Sequence, residues 1–138
     1  MLCFAPMDQP RTFEEFWPYY VRAHSNKTNR TLHFIGTSAA LSLAGLGVLT
    51  RRLTPVLLAP VAGYGLAWIG HFFVEGNRPA TFGHPLWSLK GDFKMWRMML
   101  EGTMDAEVER VLQQHAAESV ASMETEPLIN VAPDPTVN

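Results

Sequence analysis

Four of the five histidines stand close to a long apolar stretch of the chain: His24, His33, His71 and His84. The only cysteine, Cys3, leaves no thiolate cluster and no disulfide framework to build. Imidazoles combined with carboxylates, without thiols, suit iron or zinc better than calcium or magnesium. The residue types therefore predict a histidine-based metal site at one end of the apolar stretch.

The spacing of His33 and His71 predicts that they meet. They lie equally far before and after Arg52, so in an antiparallel helical hairpin turning there both imidazoles stand at the same depth. Glu75 follows His71 by one helical turn on the same face, and Asn29 stands in that relation to His33. Because ionisable groups at a membrane edge are costly, we take His33, His71 and Glu75 as candidate metal ligands.

Spacing alone does not fix whether the other histidines join this site. On one continuous helix His24 would lie roughly opposite His33, and only a break over residues 26–29 would bring it back. His84 falls in a loop, where a ligand and a bystander are equally compatible with the sequence. His115 lies on a polar helix and is expected to be solvated. Each histidine taken alone would also suit a hydrogen-bonded interfacial residue.

The apolar stretch that must position these groups is a helical hairpin. Residues 34–50 and 53–70 carry no charge, and only Arg51 and Arg52 separate them. Each run would span about 25 Å as a helix, near the lower limit for a hydrocarbon core of about 30 Å. A buried hairpin of a soluble bundle would normally show a polar stripe. We therefore predict an all-α fold built on an integral membrane hairpin with two spans, over about residues 32–75.

Shorter helices are predicted on both sides of the hairpin. A capping box at Thr12 and Glu15 predicts an aromatic-faced helix from Phe13 to near His24, followed by a loop that re-enters helix at about Arg30.

After the hairpin we expect an amphipathic helix over about residues 86–101, lying at the membrane interface or over the protein's own core. A polar helix follows over about residues 104–121. Residues 1–122 are thus predicted to form a single membrane-embedded domain, and residues 123–138 a flexible tail.

Charge and composition limit the partners and the topology. The chain is 47% hydrophobic and only 17% charged, with a net charge of −2, which excludes a disordered regulator and disfavours nucleic acid as a partner. Most Lys and Arg residues near the spans lie outside the turn, which predicts that both termini are cytoplasmic. The membrane would be the inner membrane of a bacterium or the endoplasmic reticulum of a eukaryote. Small residues on both spans would allow close helix packing or an oligomer. The basic residues outside the turn are Arg11, Arg22, Lys27, Arg30, Arg78, Lys90, Lys94 and Arg97.

The histidine blocks also carry a family resemblance. Over about residues 12–100 the chain resembles the small membrane-protein family that includes the fungal endoplasmic-reticulum 2-hydroxy fatty acid dioxygenase. This resemblance implies Fe(II)-dependent alpha-oxidation, in which a 2-hydroxy fatty acid and dioxygen give a fatty acid one carbon shorter, in lipid and sphingoid-base breakdown. The motifs are His24, Asn29-Arg-x-x-His33-x-x-Gly36, Trp68-x-x-His71-x-x-x-Glu75-Gly-Asn77-x-Pro79-Ala80 and Pro85-x-x-Ser88-Leu.

The resemblance places the family's functional histidines on His24, His33 and His71, and Glu75 matches its Glu-x-Asn-x-Pro block. These four residues are therefore the predicted catalytic and metal-binding set. At His84 the family pattern leads us to expect an aromatic residue, which weakens the case for His84 as a further ligand.

The predicted pose places the substrate carboxylate and 2-hydroxyl at the metal and the tail along the hairpin. Asn29, Asn77 and Arg78 would then supply hydrogen bonds to substrate or ligands, and Arg78→Met should raise the KM. Two other classes stay open: another histidine-metal lipid enzyme, such as a hydroxylase or a zinc hydrolase, and a non-catalytic membrane scaffold.

Overall fold

The computed structural model describes residues 10–125, and this part of the chain is helical with no strand. The all-α prediction is therefore confirmed. Cys3 and residues 126–138 of the predicted tail lie outside the described residues. The five main helices are α1 (Phe13–Arg22), α2 (Lys27–Thr50), α3 (Leu53–Ile69), α4 (Pro85–Leu100) and α5 (Met104–Thr125), with a π-helical turn at Gly70–Glu75 and a 3-10 turn at Ala80–Phe82.

Helix α2 forms an antiparallel hairpin with α3 and the π-helical turn that continues it, and both arms are long and apolar enough to cross a membrane. Arg51 adopts a left-handed conformation with φ 54° and closes the turn. The outer faces have no protein cover, since Val48 is 73% exposed, Leu49 85% and Leu53 68%. A core helix of a soluble protein would bury these side chains, so the structure supports the predicted hairpin.

Small residues pack the two arms of the hairpin against each other. A Cβ at Gly36 would lie 3.0 Å from the Gly63 carbonyl oxygen, and a Cβ at Gly47 would overlap Val56. Because Gly36 and Gly47 already pack α2 against α3 within one chain, they are not available for contacts between two chains. Gly45 and Gly65 meet nothing within 4 Å, and an oligomer through the outer faces stays a prediction.

Two predicted helix boundaries were wrong. Helix α2 begins at Lys27 rather than at about Arg30, because the Asn26 side chain accepts a hydrogen bond from Thr28 N (2.8 Å) and caps the helix earlier. Helix α5 runs to Thr125, past the predicted end at residue 121 and into the segment assigned to the tail.

Outside the hairpin, α1 packs its aromatic face on α4 and α5. Phe16, Trp17 and Tyr20 are buried there together with Met95 and Met104. Trp17 Nε1 donates a hydrogen bond to Glu107 Oε1 (2.7 Å), which ties α1 to α5. This small core holds the N-terminal helix and the C-terminal half of the chain at one end of the hairpin.

Helix α4 lies against α2. The sequence left open whether its apolar side faces the membrane interface or the protein's own core. Its buried face carries Ser88, Gly91 and Met95. The predicted apolar stripe faces away from the core instead, with Leu86 79% and Leu100 58% exposed. An uncovered apolar stripe flanked by basic residues favours the interfacial position over packing on the protein's own core.

Glu107 should make the α1–α5 contact sensitive to acid. Hydrogen bonds from Arg110 and Trp17 outweigh burial and lower the pKa of the Glu107 carboxyl to about 2. A lowered folded-state pKa stabilises the fold above the usual value of about 4.5 and loses that effect as the pH falls toward 2. We expect Glu107→Gln to lower the unfolding free energy by about 1–3 kcal/mol at neutral pH, with the difference shrinking below about pH 4.

Thermal unfolding of the purified protein across this pH range measures that difference. Glu109→Gln is the matched control, because Glu109 is exposed on the same helix and accepts a hydrogen bond from Gln113, also on α5. An equal loss in both variants would contradict the role of Glu107.

Candidate metal centre

Three buried imidazoles converge at the base of the hairpin, the end opposite the Arg51–Arg52 turn. One ring nitrogen from each of His24, His33 and His71 lies within 4.8 Å of the others. The ring centroids are 4.5–5.0 Å apart and the rings are nearly perpendicular, at 79–89°. The structure therefore brings together the three predicted histidines, including His24, which spacing alone left apart.

Each histidine comes from a different element. His24 follows α1, where Arg30 Nη1 donates to its carbonyl oxygen (2.9 Å) and holds the turn. His33 lies on α2. His71 lies in the π-helical turn that extends α3, a local distortion often found at functional sites. The break before α2 returns the chain to the hairpin and places His24 beside the other two rings.

Backbone and amide oxygens fix two of the three rings. His24 Nδ1 lies 2.6 Å from the Tyr20 carbonyl oxygen, which can only accept, so this nitrogen carries the proton. His71 Nδ1 lies 2.7 Å from Asn77 Oδ1, and Asn77 Nδ2 donates to the Ala23 carbonyl oxygen (3.0 Å). That second bond orients the amide so that its oxygen faces His71. Both rings are thus protonated at Nδ1.

A carboxylate fixes the third ring. His33 Nδ1 lies 3.0 Å from Asp92 Oδ1 on α4, so this nitrogen also donates. The Tyr20 hydroxyl donates to the same Asp92 oxygen. Burial, followed by the charge of Asp92, raises the pKa of Tyr20 well above its ordinary value, which keeps the hydroxyl protonated as a donor.

Because Nδ1 of each ring donates to a protein oxygen, Nε2 is the nitrogen that each ring can offer to a metal. His24 Nε2 and His33 Nε2 are buried and have no hydrogen-bond partner in the part of the chain that the structure describes. Burial, together with His33 and His71, holds the pKa of His24 well below its ordinary value, so its ring is neutral. Neutral imidazoles that donate from Nδ1 and present Nε2 are the usual form of histidine metal ligands. These residues fit a metal ion.

Glu75 lies elsewhere and is not part of this group. Its carboxylate accepts hydrogen bonds from Ser25 Oγ (2.8 Å), Asn26 N (3.1 Å) and Asn29 Nδ2 (3.2 Å). It thereby satisfies donors at the N-terminus of α2, where a negative charge is favoured. Glu75 follows His71 by one turn, as predicted, but its carboxylate is hydrogen-bonded to these donors at the start of α2.

The remaining predicted residues also lie around the histidine group rather than in it. Asn77 holds His71, while Asn29 is buried and packs on Gly70, where a Cβ would overlap its Oδ1. His84 stacks on Trp87 with ring centroids 5.0 Å apart. The Arg78 guanidinium lies over the Phe82 ring (5.6 Å). Arg78 and His84 line a cavity of about 800 Å³ that none of the three clustered histidines lines.

Sequence reasoning missed Asp92 and Tyr20. Asp92 lies between Lys90 and Lys94 in the predicted amphipathic helix, a position that the pattern alone gives to the polar face. The signal available in the sequence is that Asp92 is the only acidic residue of that helix. Tyr20 lies in the predicted aromatic-faced helix, where the pattern accounts for its ring but not for its hydroxyl.

A second cavity joins the histidine group to the hairpin. This groove of about 330 Å³ has His33 and Asp92 at one end. From there it runs along the seam of α2 and α3, past alanine and glycine residues and the larger, partly exposed side chains of Leu41 and Phe93. It shares no lining residue with the larger cavity.

A buried three-histidine group at the base of an apolar helical hairpin defines the class: a helical protein with two candidate membrane spans and a candidate metal centre. A family model described as 2-hydroxy-palmitic acid dioxygenase Mpo1-like matches residues 10–104, and the chain belongs to this family. The resemblance deduced from the histidine motifs is confirmed. Comparison with curated proteins and with solved structures gave no significant match.

Proposed function

We propose that this protein is an Fe(II)-dependent dioxygenase that performs alpha-oxidation of 2-hydroxy fatty acids in a membrane. The observation that carries the proposal is the group of three imidazoles, each donating from Nδ1 to a protein oxygen and each keeping Nε2 free. The family name supports the substrate class. The reaction balances: a 2-hydroxy acid and dioxygen give the acid one carbon shorter, carbon dioxide and water.

His24, His33 and His71 would hold the metal through Nε2. A bound ferrous ion would supply the redox chemistry that dioxygen requires. The protein's own part is to orient the rings through the Tyr20 carbonyl oxygen, Asp92 and Asn77, and to bury them away from water. A three-histidine set without a carboxylate also suits zinc. A zinc hydrolase is therefore the second candidate, and metal identity separates the two.

Residence in the membrane is supported by the uncovered apolar hairpin and by the exposed stripe of α4. We propose two spans with both termini cytoplasmic. This places the histidine group at the cytoplasmic edge of the bilayer, where the head of a lipid acid lies.

Product analysis tests the proposed reaction. The full chain in lipid nanodiscs is loaded with Fe(II) without oxygen, then exposed to air with 2-hydroxypalmitate. We expect pentadecanoic acid by mass spectrometry, and no product from palmitate, which lacks the 2-hydroxyl. An unshortened product or none from the iron-loaded protein would overturn the proposal, and activity with zinc alone would favour the hydrolase.

Arg78→Met tests the predicted binding of the substrate carboxylate. If Arg78 binds it, we expect the KM for 2-hydroxypalmitate to rise about tenfold or more with little change in kcat. Arg22→Met is the control, since Arg22 lines the same larger cavity. An unchanged KM in Arg78→Met would remove Arg78 from substrate binding, in agreement with its position over Phe82 and away from the groove.

A further inference from the structure

The groove beside His33 is built differently at its two ends. At one end it is lined by an imidazole and a carboxylate, those of His33 and Asp92, and its other polar lining residues are Thr37 and Tyr64. At the other end the lining residues are Ala44, Ala59 and Pro60, about two helical turns from the Arg51–Arg52 turn of the hairpin. One end is therefore suited to a polar head and the other to hydrocarbon.

The seam between α2 and α3 keeps the groove open. Ala40 and Ala44 lie about two and three helical turns after His33 on α2, with Thr37 between, and Gly63 and Ala59 line the groove from α3. Side chains this small leave space where larger ones would close the hairpin. From His33 to Ala44 the groove is about 16 Å long at the helical rise of 1.5 Å per residue.

The groove has a buried floor and an exposed rim. Ala59 and Ala67 are each only 7% exposed, whereas Leu41, Leu89 and Phe93 on the rim are 40–44% exposed. An apolar slot that is open along a lipid-facing rim admits a chain sideways from the bilayer. His33 lines the polar end of the groove, and its buried Nε2 has no hydrogen-bond partner among the described residues.

We propose that this groove holds the acyl chain of a single fatty acid with its carboxyl end at His33, and that Ala44 and Ala59 lie against the far methylenes of a long chain. The inference deepens the proposed function and takes its substrate class from it. The lining is mostly apolar, with alanine and glycine at the seam and Leu41, Leu89 and Phe93 on the rim, which matches the chemistry of a saturated acyl chain. The larger cavity beside Arg78 shares no lining residue with the groove, so this inference expects an unchanged KM in Arg78→Met.

Substitutions along the groove should shorten the accepted chain in order of depth. Ala44→Leu should lower kcat/KM for 2-hydroxypalmitate about tenfold and leave 2-hydroxylaurate nearly unchanged, because one side chain in an apolar pocket excludes a few methylenes. Ala40→Leu, nearer to His33, should reduce both substrates. Gly45→Leu is the matched control: it adds the same side chain beside Ala44, but its Cβ meets nothing within 4 Å. We expect no change in its chain-length profile.

A binding measurement that needs no turnover separates this inference from the proposed function. Palmitic acid with a diazirine on its terminal carbon is photolysed with the full chain in nanodiscs, and the adducts are mapped by mass spectrometry. We expect adducts near Ala44 and Ala59, and fewer of them in Ala44→Leu. Adducts in the groove without any alpha-oxidation would support the groove as the acyl-chain site and overturn the proposed reaction.

The opposite outcome is equally distinct. Alpha-oxidation with the same chain-length profile in Ala44→Leu, and adducts spread over the outer residues Leu49 and Leu53 or in the larger cavity, would overturn the groove and leave the reaction intact. Bound metal and helical content, measured for every variant, show that the leucine substitutions have not disrupted the fold.

Discussion

Replacing His33 or His71 with alanine should abolish both metal binding and activity. Each supplies one of three Nε2 lone pairs, and the described residues offer no fourth histidine or carboxylate to this group. Loss of a residue that only hydrogen-bonds to a metal ligand costs about 10- to 100-fold in metal affinity. Loss of a ligand itself should therefore cost more than about 100-fold. Metal content by mass spectrometry, with helical content measured beside it, gives the result directly.

Two other histidines serve as controls for this prediction. His115→Ala should keep the metal, because His115 is exposed on α5 and outside the group. His84→Ala should also keep it if His84 serves only to stack on Trp87 and Phe16. Metal retained at full affinity in both His33→Ala and His71→Ala would contradict the site, and no metal in the wild-type protein after Fe(II) reconstitution would favour a non-catalytic scaffold.

The second large effect is expected from Asp92→Asn. The Asp92 carboxylate accepts from His33 Nδ1 and from the Tyr20 hydroxyl, so it fixes the tautomer and orientation of His33 and makes its Nε2 a stronger ligand. Asparagine has nearly the same shape but no charge. We expect metal affinity to fall about 10- to 100-fold, measured by competition with a chelator.

Related variants distinguish a positioning role from a structural one. Tyr20→Phe should weaken metal binding less than Asp92→Asn, because the carboxylate still accepts from His33. Glu101→Gln should leave the metal affinity unchanged, since Glu101 is exposed just past the end of α4 and pairs with Arg97, away from the histidine group. If Asp92→Asn lowers thermal stability while the metal affinity stays at the wild-type value, Asp92 supports the fold and not the metal ligand.

Much of the hairpin and part of the site were predictable from the sequence because they depend on local pattern. Uncharged runs on either side of Arg51 and Arg52 predict two apolar helices, and equal distances from the turn place His33 and His71 at one level. Those inferences need only the geometry of a helix. The amphipathic helix α4 and the capped start of α1 were predictable for the same reason.

The tertiary structure decided what each polar group contacts. Asp92 and His33 are 59 residues apart in sequence, and no periodicity connects them. Glu75 shares a helix face with His71, yet its carboxylate satisfies backbone and side-chain donors at the start of α2. The break before α2, closed by Arg30 and capped by Asn26, brings His24 into the group. Hydrogen-bond partners and cavities depend on the relative placement of whole helices, which side-chain packing fixes only when the chain has folded.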